Sequence, residues 1–167
     1  MEEVAVTEAF EKLKPEIYVF VISVDKEGKP NGTVTKCFMK CSNEPRMLAI
    51  SLAKEGNTYN LIAQSKEFIV AVPNKELEPE LDFFGTMKGA EIDKFKATKI
   101  KTEPARTIKS PLISDATINF ECRLESQLDA GDHIILFGRV LASYINKDKK
   151  VLLCIRKDEG KRIFEEF

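Results

Sequence analysis

A chain of 167 residues with 26 Lys and Arg against 27 Asp and Glu is long enough for one self-sufficient core, and its balanced charge excludes a typical nucleic-acid binder. The longest apolar run, residues 17–22, is far shorter than the roughly 20 residues that span a bilayer, and the first residues are acidic rather than signal-like. The sequence therefore predicts a single domain over residues 1–167 in the cytoplasm, with no nucleic acid and no membrane among its partners.

The first segments predict a short helix followed by a strand. Thr7 is a suitable N-cap for a helix that runs to Lys14, and Pro15 ends it. Residues 17–24 are rich in β-branched residues and apolar on both faces, which is typical of a strand covered on both sides. Residues 25–30 supply the turn.

Residues 31–42 are predicted to form one further extended segment. Alternate residues of a strand point to the same side, and one side of this segment is small and partly polar. Its members are Thr33, Thr35, Cys37, Met39 and Cys41. Such a face suits a flat ligand with polar edges, but an ordinary half-exposed strand has the same pattern.

After a strand over residues 47–52, Asn57 is predicted to cap a helix. Lys54, Gly56 and Thr58 surround it, so an ammonium, a hydroxyl and free amides are expected to converge. Helix N-termini bind phosphate readily. Because most capped helices bind nothing, the pattern alone leaves a phosphate site as one of two interpretations.

The remaining segments predict a mainly β chain with short helices. Residues 76–84 and 91–95 suit helical turns, and Lys94 in the second could reach a ligand or remain a solvated surface lysine. The predicted strands are 68–72, 117–124, 133–142 and 151–156. Six or more strands with short helices indicate a small closed or split β-barrel.

Familiar catalytic and metal motifs are missing. The single histidine, His133, follows a Gly-Asp turn, and there is no nucleophile elbow, no His-Glu-x-x-His, no Rossmann fingerprint and no P-loop. The four cysteines contain no C-x-x-C pair, and Cys37 and Cys41 on one strand would lie roughly 13 Å apart. Free, buried thiols and no metal site are therefore expected, with His133 an ordinary turn residue on its pattern alone.

Several short segments follow one another in a specific order along nearly the whole chain. They are Lys29-Pro-Asn-Gly32 with Ser42-Asn-Glu-Pro45, Asn57-Thr-Tyr-Asn-Leu-Ile62, Glu67-Phe-Ile-Val70, Ile92-Asp-Lys-Phe95, Pro111-Leu-Ile113, Asn119-Phe-Glu-Cys-Arg123 and Gly131-Asp-His-Ile-Ile-Leu-Phe-Gly138. In this order they resemble the flavin reductase-like, FMN-binding split-barrel family, and flavoredoxin-type proteins look closest within it.

The resemblance implies an FMN-binding split β-barrel, a homodimer with one FMN per subunit, and a site. It implies that the isoalloxazine ring lies against residues 31–38 and the phosphate near residues 51–58, with His133 as a candidate catalytic residue near the flavin. The cofactor-binding residues it implies are Asn31, Thr35, Lys36, Cys37, Phe38, Ser51, Leu52, Lys54, Asn57, Thr58, Lys94, His133 and Phe164. A cation such as Lys94 near the ring would stabilise a reduced flavin, and the amides of residues 35–38 could satisfy its polar edge.

The chain departs from the family at several positions. Cys37 stands where flavoredoxin-like members often carry Trp, Ala71 where Asn is common, and Lys88 near a common serine. The tail is shortened to Gly160-Lys-Arg-Ile-Phe-Glu-Glu-Phe167. These changes predict weaker FMN binding or a differently seated ring.

The resemblance implies a flavoprotein that moves electrons through FMN, from NAD(P)H or a redox protein to a flavin, metal or protein acceptor. One alternative is a flavin reductase for which FMN or FAD is a diffusible substrate. The other is a split barrel that has lost flavin chemistry and serves as a binding module.

Overall fold

The computed structural model describes residues 1–167, which form four α-helices and twelve β-strands. The helices are α1 (Val6–Glu11), α2 (Asn57–Ser65), α3 (Glu78–Thr86) and α4 (Lys94–Thr98). The strands are β1 (Glu16–Ile17), β2 (Val19–Val24), β3 (Pro30–Thr35), β4 (Phe38–Asn43), β5 (Arg46–Ala53), β6 (Glu67–Val72), β7 (Thr102–Glu103), β8 (Leu112–Ile113), β9 (Ile118–Ala130), β10 (His133–Ile145), β11 (Leu152–Asp158) and β12 (Lys161–Glu166). The prediction of a mainly β chain with short helices is confirmed.

Seven strands form one antiparallel sheet in the order β3-β2-β6-β9-β10-β5-β4. Its edge strands, β3 and β4, are consecutive in sequence and do not pair with each other. Edge strand β3 reaches β5 at a seam formed by Thr35 and Ser51, where the Thr35 hydroxyl donates to the Ser51 carbonyl at 3.0 Å. The Ser51 amide donates to the Cys37 carbonyl at 2.9 Å and so continues the β4–β5 pairing past Phe38. The sheet is a split barrel, as predicted.

The core lies on both faces of this sheet, and β2 shows why. Every residue of β2 is buried. Phe20 and Ile22 pack into one apolar cluster, while Val19 and Val21 pack into another, because alternate strand residues face opposite ways. Burying each such side chain contributes about 1.5–3 kcal/mol. The prediction of a strand covered on both sides is confirmed, and it makes β2 a rigid support for its neighbour β3.

The prediction of one extended segment over residues 31–42 is wrong. The chain bends at Lys36 and Cys37, so that residues 30–35 lie at one edge of the sheet and residues 38–43 at the other. The bend is local: the Thr35 hydroxyl accepts a hydrogen bond from the Cys37 amide at 3.1 Å. The small polar face predicted for this segment is therefore divided, with Thr33 and Thr35 at one edge of the sheet and Met39 and Cys41 at the other.

Three smaller predictions also need correction. Helix α1 begins at Val6, so that Thr7 lies inside it, and it ends at Glu11. The N-cap of α2 is Gly56 in an extended conformation, which places Asn57 in the first helical turn. All four cysteines are free, as predicted, but Cys37 is exposed and Cys41 is only partly buried. No helix of the chain has both the length and the apolar character that crossing a lipid bilayer requires.

Helices α3 and α4 form a cover over the outer side of β3, joined by aromatic packing. The Phe84 ring of α3 meets the Phe20 ring of β2 edge-on at 5.3 Å and the Phe95 ring of α4 at 5.2 Å. Such pairs contribute about 0.5–1.5 kcal/mol beyond the area they bury. Gly32 of β3 makes room for this packing, because a Cβ there would lie 2.8 Å from the Val21 carbonyl oxygen and 3.3 Å from the Phe84 ring.

Candidate functional site

A cleft of about 570 Å³ opens between β3, the β5–α2 junction and the segment that follows α3. Residues 32–35 form one wall, most of residues 51–59 form the second, and residues 85–90 form the third. Lys94 and His133 complete the lining. The volume falls in the range of about 300–1,000 Å³ that is usual for small-molecule and cofactor sites.

The N-terminus of α2 supplies free backbone amides to this cleft. No side chain caps the helix, because the N-cap is a glycine. The first backbone bond of the helix is donated by Asn60 to the Gly56 carbonyl at 3.3 Å, which leaves the amides of residues 57–59 without helical partners. Thr58, only 3% exposed, lines the cleft beside them. This end of the cleft carries partial positive charge and suits an anion.

Lys94 supplies a full positive charge to another part of the same cleft. Its side chain is buried, and the ammonium donates to the carbonyl oxygens of Gly32 at 2.9 Å and Phe84 at 2.7 Å. It also lies 5.5 Å from the centre of the Phe84 ring. Burial, with no opposing contribution from a carboxylate, lowers the pKa of Lys94 to about 8. An ammonium has three donors, so one remains for a ligand.

Local structure fixes Lys94 in this position. It is the first residue of α4, whose N-cap Asp93 accepts a hydrogen bond from the Lys96 amide at 3.1 Å. The Asp93 carboxylate also pairs with Lys29 at 3.1 Å, and so it is not available to Lys94. The sequence alone leaves Lys94 open as a surface lysine, whereas the structure places it inside.

His133 lies at the mouth of the cleft. It is the first residue of β10, paired in register with Ala53 of β5, and its side chain is 43% exposed. Its Nδ1 lies 2.7 Å from an Asp132 carboxylate oxygen. This contact orients the ring and leaves Nε2 available for general acid–base chemistry.

The structure brings about half of the predicted site residues together. Those that line the cleft are Thr35, Ser51, Leu52, Asn57, Thr58, Lys94 and His133. The others, Asn31, Lys36, Cys37, Phe38, Lys54 and Phe164, lie outside its lining. The two sets differ because the outer residues already have partners or lie on another surface.

Two of the outer residues are lysines held by carboxylates. Lys54 pairs with Asp129 of β9, and Lys36 pairs with Glu16 at 2.7 Å. Phe164 is buried in the same apolar cluster as Phe20 and Phe84, where its ring meets the Tyr18 ring edge-on at 5.9 Å. None of these contacts could be read from a local pattern, because each joins residues at least 20 positions apart.

Cys37 and Phe38 lie beyond the seam and line a separate shallow groove. Their amides are already bonded, Cys37 to the Thr35 hydroxyl and Phe38 to the Lys36 carbonyl at 3.1 Å. The proposal that amides along residues 35–38 satisfy a ligand edge therefore does not hold for these two. Asn31 instead donates a hydrogen bond from its side-chain amide to the Gly89 carbonyl.

The sequence interpretation missed three contributors to the cleft. The Gly32 and Phe84 carbonyls hold Lys94, and residues 85–90 form a wall. Two glycines, Gly85 and Gly89, flank that wall. Their spacing just before a lysine at a helix start was the available signal.

Comparison with known proteins connects this cleft to a family. The family model described as "Flavin reductase like domain" matches residues 16–160. The chain belongs to the flavin reductase-like family. Membership indicates a flavin cofactor and electron transfer through it, in agreement with the resemblance stated from the short segments.

Relatives and solved structures extend this comparison. An uncharacterised protein of Archaeoglobus fulgidus is 30% identical over 124 residues, which are 74% of this chain and 68% of the relative. A ferric-chelate reductase (NAD(P)H) of the same organism is 28% identical over 149 residues, 87% of this chain and 84% of the relative. Flavoredoxin of Desulfovibrio vulgaris and the NADH:FAD oxidoreductase of Streptomyces globisporus C-1027 each share the fold at TM-score 0.84, with 18% and 20% identity, over 100% of this chain and 93% and 98% of theirs.

The residues of the cleft fit a flavin. Free amides at the start of α2 match a phosphate, and the buried Lys94 ammonium matches an electron-accepting ring whose reduced form carries negative charge. No group of three or more His, Cys, Asp or Glu side chains in the chain could hold a metal ion.

Proposed function

We propose that this flavin reductase-like protein binds FMN in the cleft and moves electrons through it, from NAD(P)H or a redox protein to a flavin, metal or protein acceptor. The observation that carries the proposal is the buried Lys94 ammonium, which has no carboxylate partner and faces the same cleft as the uncapped N-terminus of α2. A buried cation without a carboxylate partner reduces the stability of a fold, and an electron-rich ligand would offset that cost.

Each wall of the cleft has a separate role in this proposal. The amides of residues 57–59 and the Thr58 side chain hold the phosphate, and Thr35 and Ser51 line the path between the phosphate and Lys94. A bound flavin supplies reversible acceptance of a hydride or of single electrons. Lys94 favours negative charge beside it and thereby raises its reduction potential. His133, at the exposed mouth, is placed to exchange a proton with an entering reactant.

The second candidate is a reductase for which the flavin is a diffusible substrate. The half-exposed His133 at the mouth of the cleft favours it, because the cleft is open to exchange. The NAD(P)H named for the archaeal ferric-chelate reductase supports a nicotinamide donor in either case.

A barrel without flavin chemistry has less support. Ala71, the departure that suggested it, is fully buried in β6 and pairs with Asn119 and Phe20, away from the cleft. Cys37 also lies outside the cleft, and only Lys88 among the departures lines it. Lys88 adds positive charge, which favours an anionic ligand.

We also propose a cytoplasmic homodimer. A groove of about 330 Å³ beside the seam is lined mainly by apolar residues, among them Phe38, Met39 and Ile135. Met39 is 58% exposed. A second copy covering this groove would remove that apolar surface from water. Light scattering after gel filtration measures the mass in solution, and a monomer at micromolar concentration would contradict the dimer.

The test of the main proposal is FMN binding followed by reduction. FMN titrated into the purified protein is expected to lose fluorescence at or below tens of micromolar, a scale of roughly 6 kcal/mol. Anaerobic addition of NADH and of NADPH then shows whether the bound flavin bleaches. A yellow protein after gel filtration supports a resident cofactor, whereas loss of flavin supports the diffusible substrate. Absence of quenching would overturn both.

A further inference from the structure

Asn31 ties the wall formed by residues 85–90 to β3. Its Oδ1 accepts a hydrogen bond from the Gly32 amide at 2.7 Å, and its Nδ2 donates to the Gly89 carbonyl at 2.6 Å. The contact requires glycine at position 89, because a Cβ there would lie 2.6 Å from the Asn31 Oδ1. Both the Oδ1 and the Nδ2 of Asn31 thus have hydrogen-bond partners within the protein.

A second cavity of about 460 Å³ lies on the far side of this bond. Asn57, Gly89 and Ala90 line both the cleft and the second cavity, whereas Asn31 lines only the second. The Asn31–Gly89 bond therefore stands at the boundary between the two spaces. Asn57, in the first turn of α2, connects the phosphate end of the cleft to the same boundary.

The charge of the second cavity is unfavourable to phosphate. Asp25, Glu91 and Asp93 line it against the single cation Lys29, which already pairs with Asp93. FAD differs from FMN by an adenylate attached at the phosphate. If the phosphate of a flavin lies at the start of α2, an adenylate that extends from it into the second cavity would pass the Asn31–Gly89 bond and bring a second phosphate towards these carboxylates.

We propose that the Asn31–Gly89 hydrogen bond closes the cleft beyond the first phosphate and makes the protein select FMN over FAD. The inference rests on the proposed flavin function and adds a positioning role for Asn31, which acts through Gly89. Two hydrogen bonds of its side chain fix Asn31 at the boundary between the two cavities. The absence of a Cβ at Gly89 allows the Asn31 side chain to approach the Gly89 backbone.

The test compares FMN and FAD affinities in four proteins by quenching of flavin fluorescence. Asn31→Ala removes the donor, and Gly89→Ala pushes the same contact apart from the opposite side. Lys26→Ala, in the exposed turn before β3, is the matched control. The unmodified protein is expected to bind FMN at least tenfold more tightly than FAD. Both opening variants are expected to reduce that ratio several-fold by binding FAD better, and the control leaves it unchanged.

Each outcome decides a different question. Equal affinities for FMN and FAD in the unmodified protein would overturn the selection and leave the proposed function intact. Equal losses for both flavins in the variants would show that Asn31 only supports the loop, which also overturns it. Binding of neither flavin by the unmodified protein would overturn the proposed function itself. If circular dichroism shows Asn31→Ala unfolded, Gly89→Ala decides the question alone, because it opens the same bond.

Discussion

The two ends of the cleft owe their positive charge to different chemical groups. The end at α2 is backbone, made of amides that an uncapped helix leaves free, whereas the other end is one buried side chain, Lys94. Free amides facing an open cleft can be hydrated when no ligand is present. The buried Lys94 ammonium has lost most of its hydration and retains two carbonyl partners. The amides of α2 therefore reduce the stability of the fold little, whereas the burial of Lys94 reduces it more. Such a loss of stability is typical of a residue that is kept for function.

Burial disfavours the charged form of Lys94 by about 3 kcal/mol. This free energy corresponds to a pKa lowered from 10.5 to about 8, at 1.36 kcal/mol per pH unit. This penalty already includes the two carbonyl hydrogen bonds, because the pKa of Lys94 belongs to the residue in its folded environment. A neutral side chain would remove the penalty but leave the two carbonyls unpaired at about 1 kcal/mol each, for a net gain of about 1 kcal/mol. A ligand of opposite charge would also reduce the penalty.

The largest expected effect is that of Lys94→Met, which removes this charge. FMN affinity is expected to fall at least tenfold, and the reduced flavin loses more, so that the reduction potential falls as well. The free energy of unfolding of the ligand-free protein is expected to rise by about 1 kcal/mol, because the desolvation penalty disappears. Flavin titration, potentiometry and urea unfolding measure the three quantities.

Lys54→Met is the matched control for that variant. Lys54 is a partly exposed lysine paired with Asp129, and such surface pairs contribute about 0–1 kcal/mol. Its removal is expected to leave the flavin potential unchanged. If Lys94→Met and Lys54→Met affect the potential equally, the distinction between a buried site cation and a surface cation is wrong.

Asn57→Asp tests the other end with an isosteric change. A carboxylate in the first turn of α2 stabilises the helix by about 0.3–1 kcal/mol and repels a phosphate at the same amides. FMN affinity is expected to fall about tenfold, while affinity for riboflavin, which lacks the phosphate, stays within twofold. Parallel titrations with the two ligands make the measurement. An equal loss for both would mean that no phosphate lies at α2.

A smaller effect is expected from pH. Lys94 is half deprotonated near pH 8, so FMN affinity is expected to fall several-fold between pH 7 and pH 9.5. Fluorescence titrations across this range should show the loss in the unmodified protein and a flat response in Lys94→Met. A parallel decline in both proteins would assign the pH dependence to another group.

The same proton predicts the sign of the stability change. The pKa of Lys94 is lower in the folded protein than in the unfolded chain, so between about pH 8 and pH 10.5 the unfolded chain holds more protons. The contribution of Lys94 to the free energy of unfolding therefore rises with pH across this window and is constant below it. Urea unfolding of the ligand-free protein and of Lys94→Met separates this contribution from other groups.

Much of the fold could be predicted from the sequence, because its signals are local. The buried strand over residues 17–24 and the helix near Asn57 were found from β-branched runs and capping residues. The resemblance to flavin reductase-like proteins, carried by several weak segments, is confirmed by the match over residues 16–160. The same local signals erred where one residue or one bend decides the geometry.

Two of those errors arose because a local sequence pattern does not show the conformation of the backbone. Alternation over residues 31–42 cannot reveal a bend at Lys36 and Cys37, because both sides of the bend are strands. Assigning the N-cap to Asn57 rather than Gly56 missed that the helix has no side-chain cap, the property that leaves its amides free. The partners of Lys54 and Phe164 depend on contacts across the sheet, which no local pattern contains.

The seam also has a meaning for motion. The Ser51 amide is protected from solvent exchange while it bonds to the Cys37 carbonyl, and this bond extends the β4–β5 pairing. Ser51 and Thr35 belong to the seam and to the cleft wall together. Hydrogen exchange at Ser51 therefore reports how often the end of the β4–β5 pairing opens beside the cleft wall.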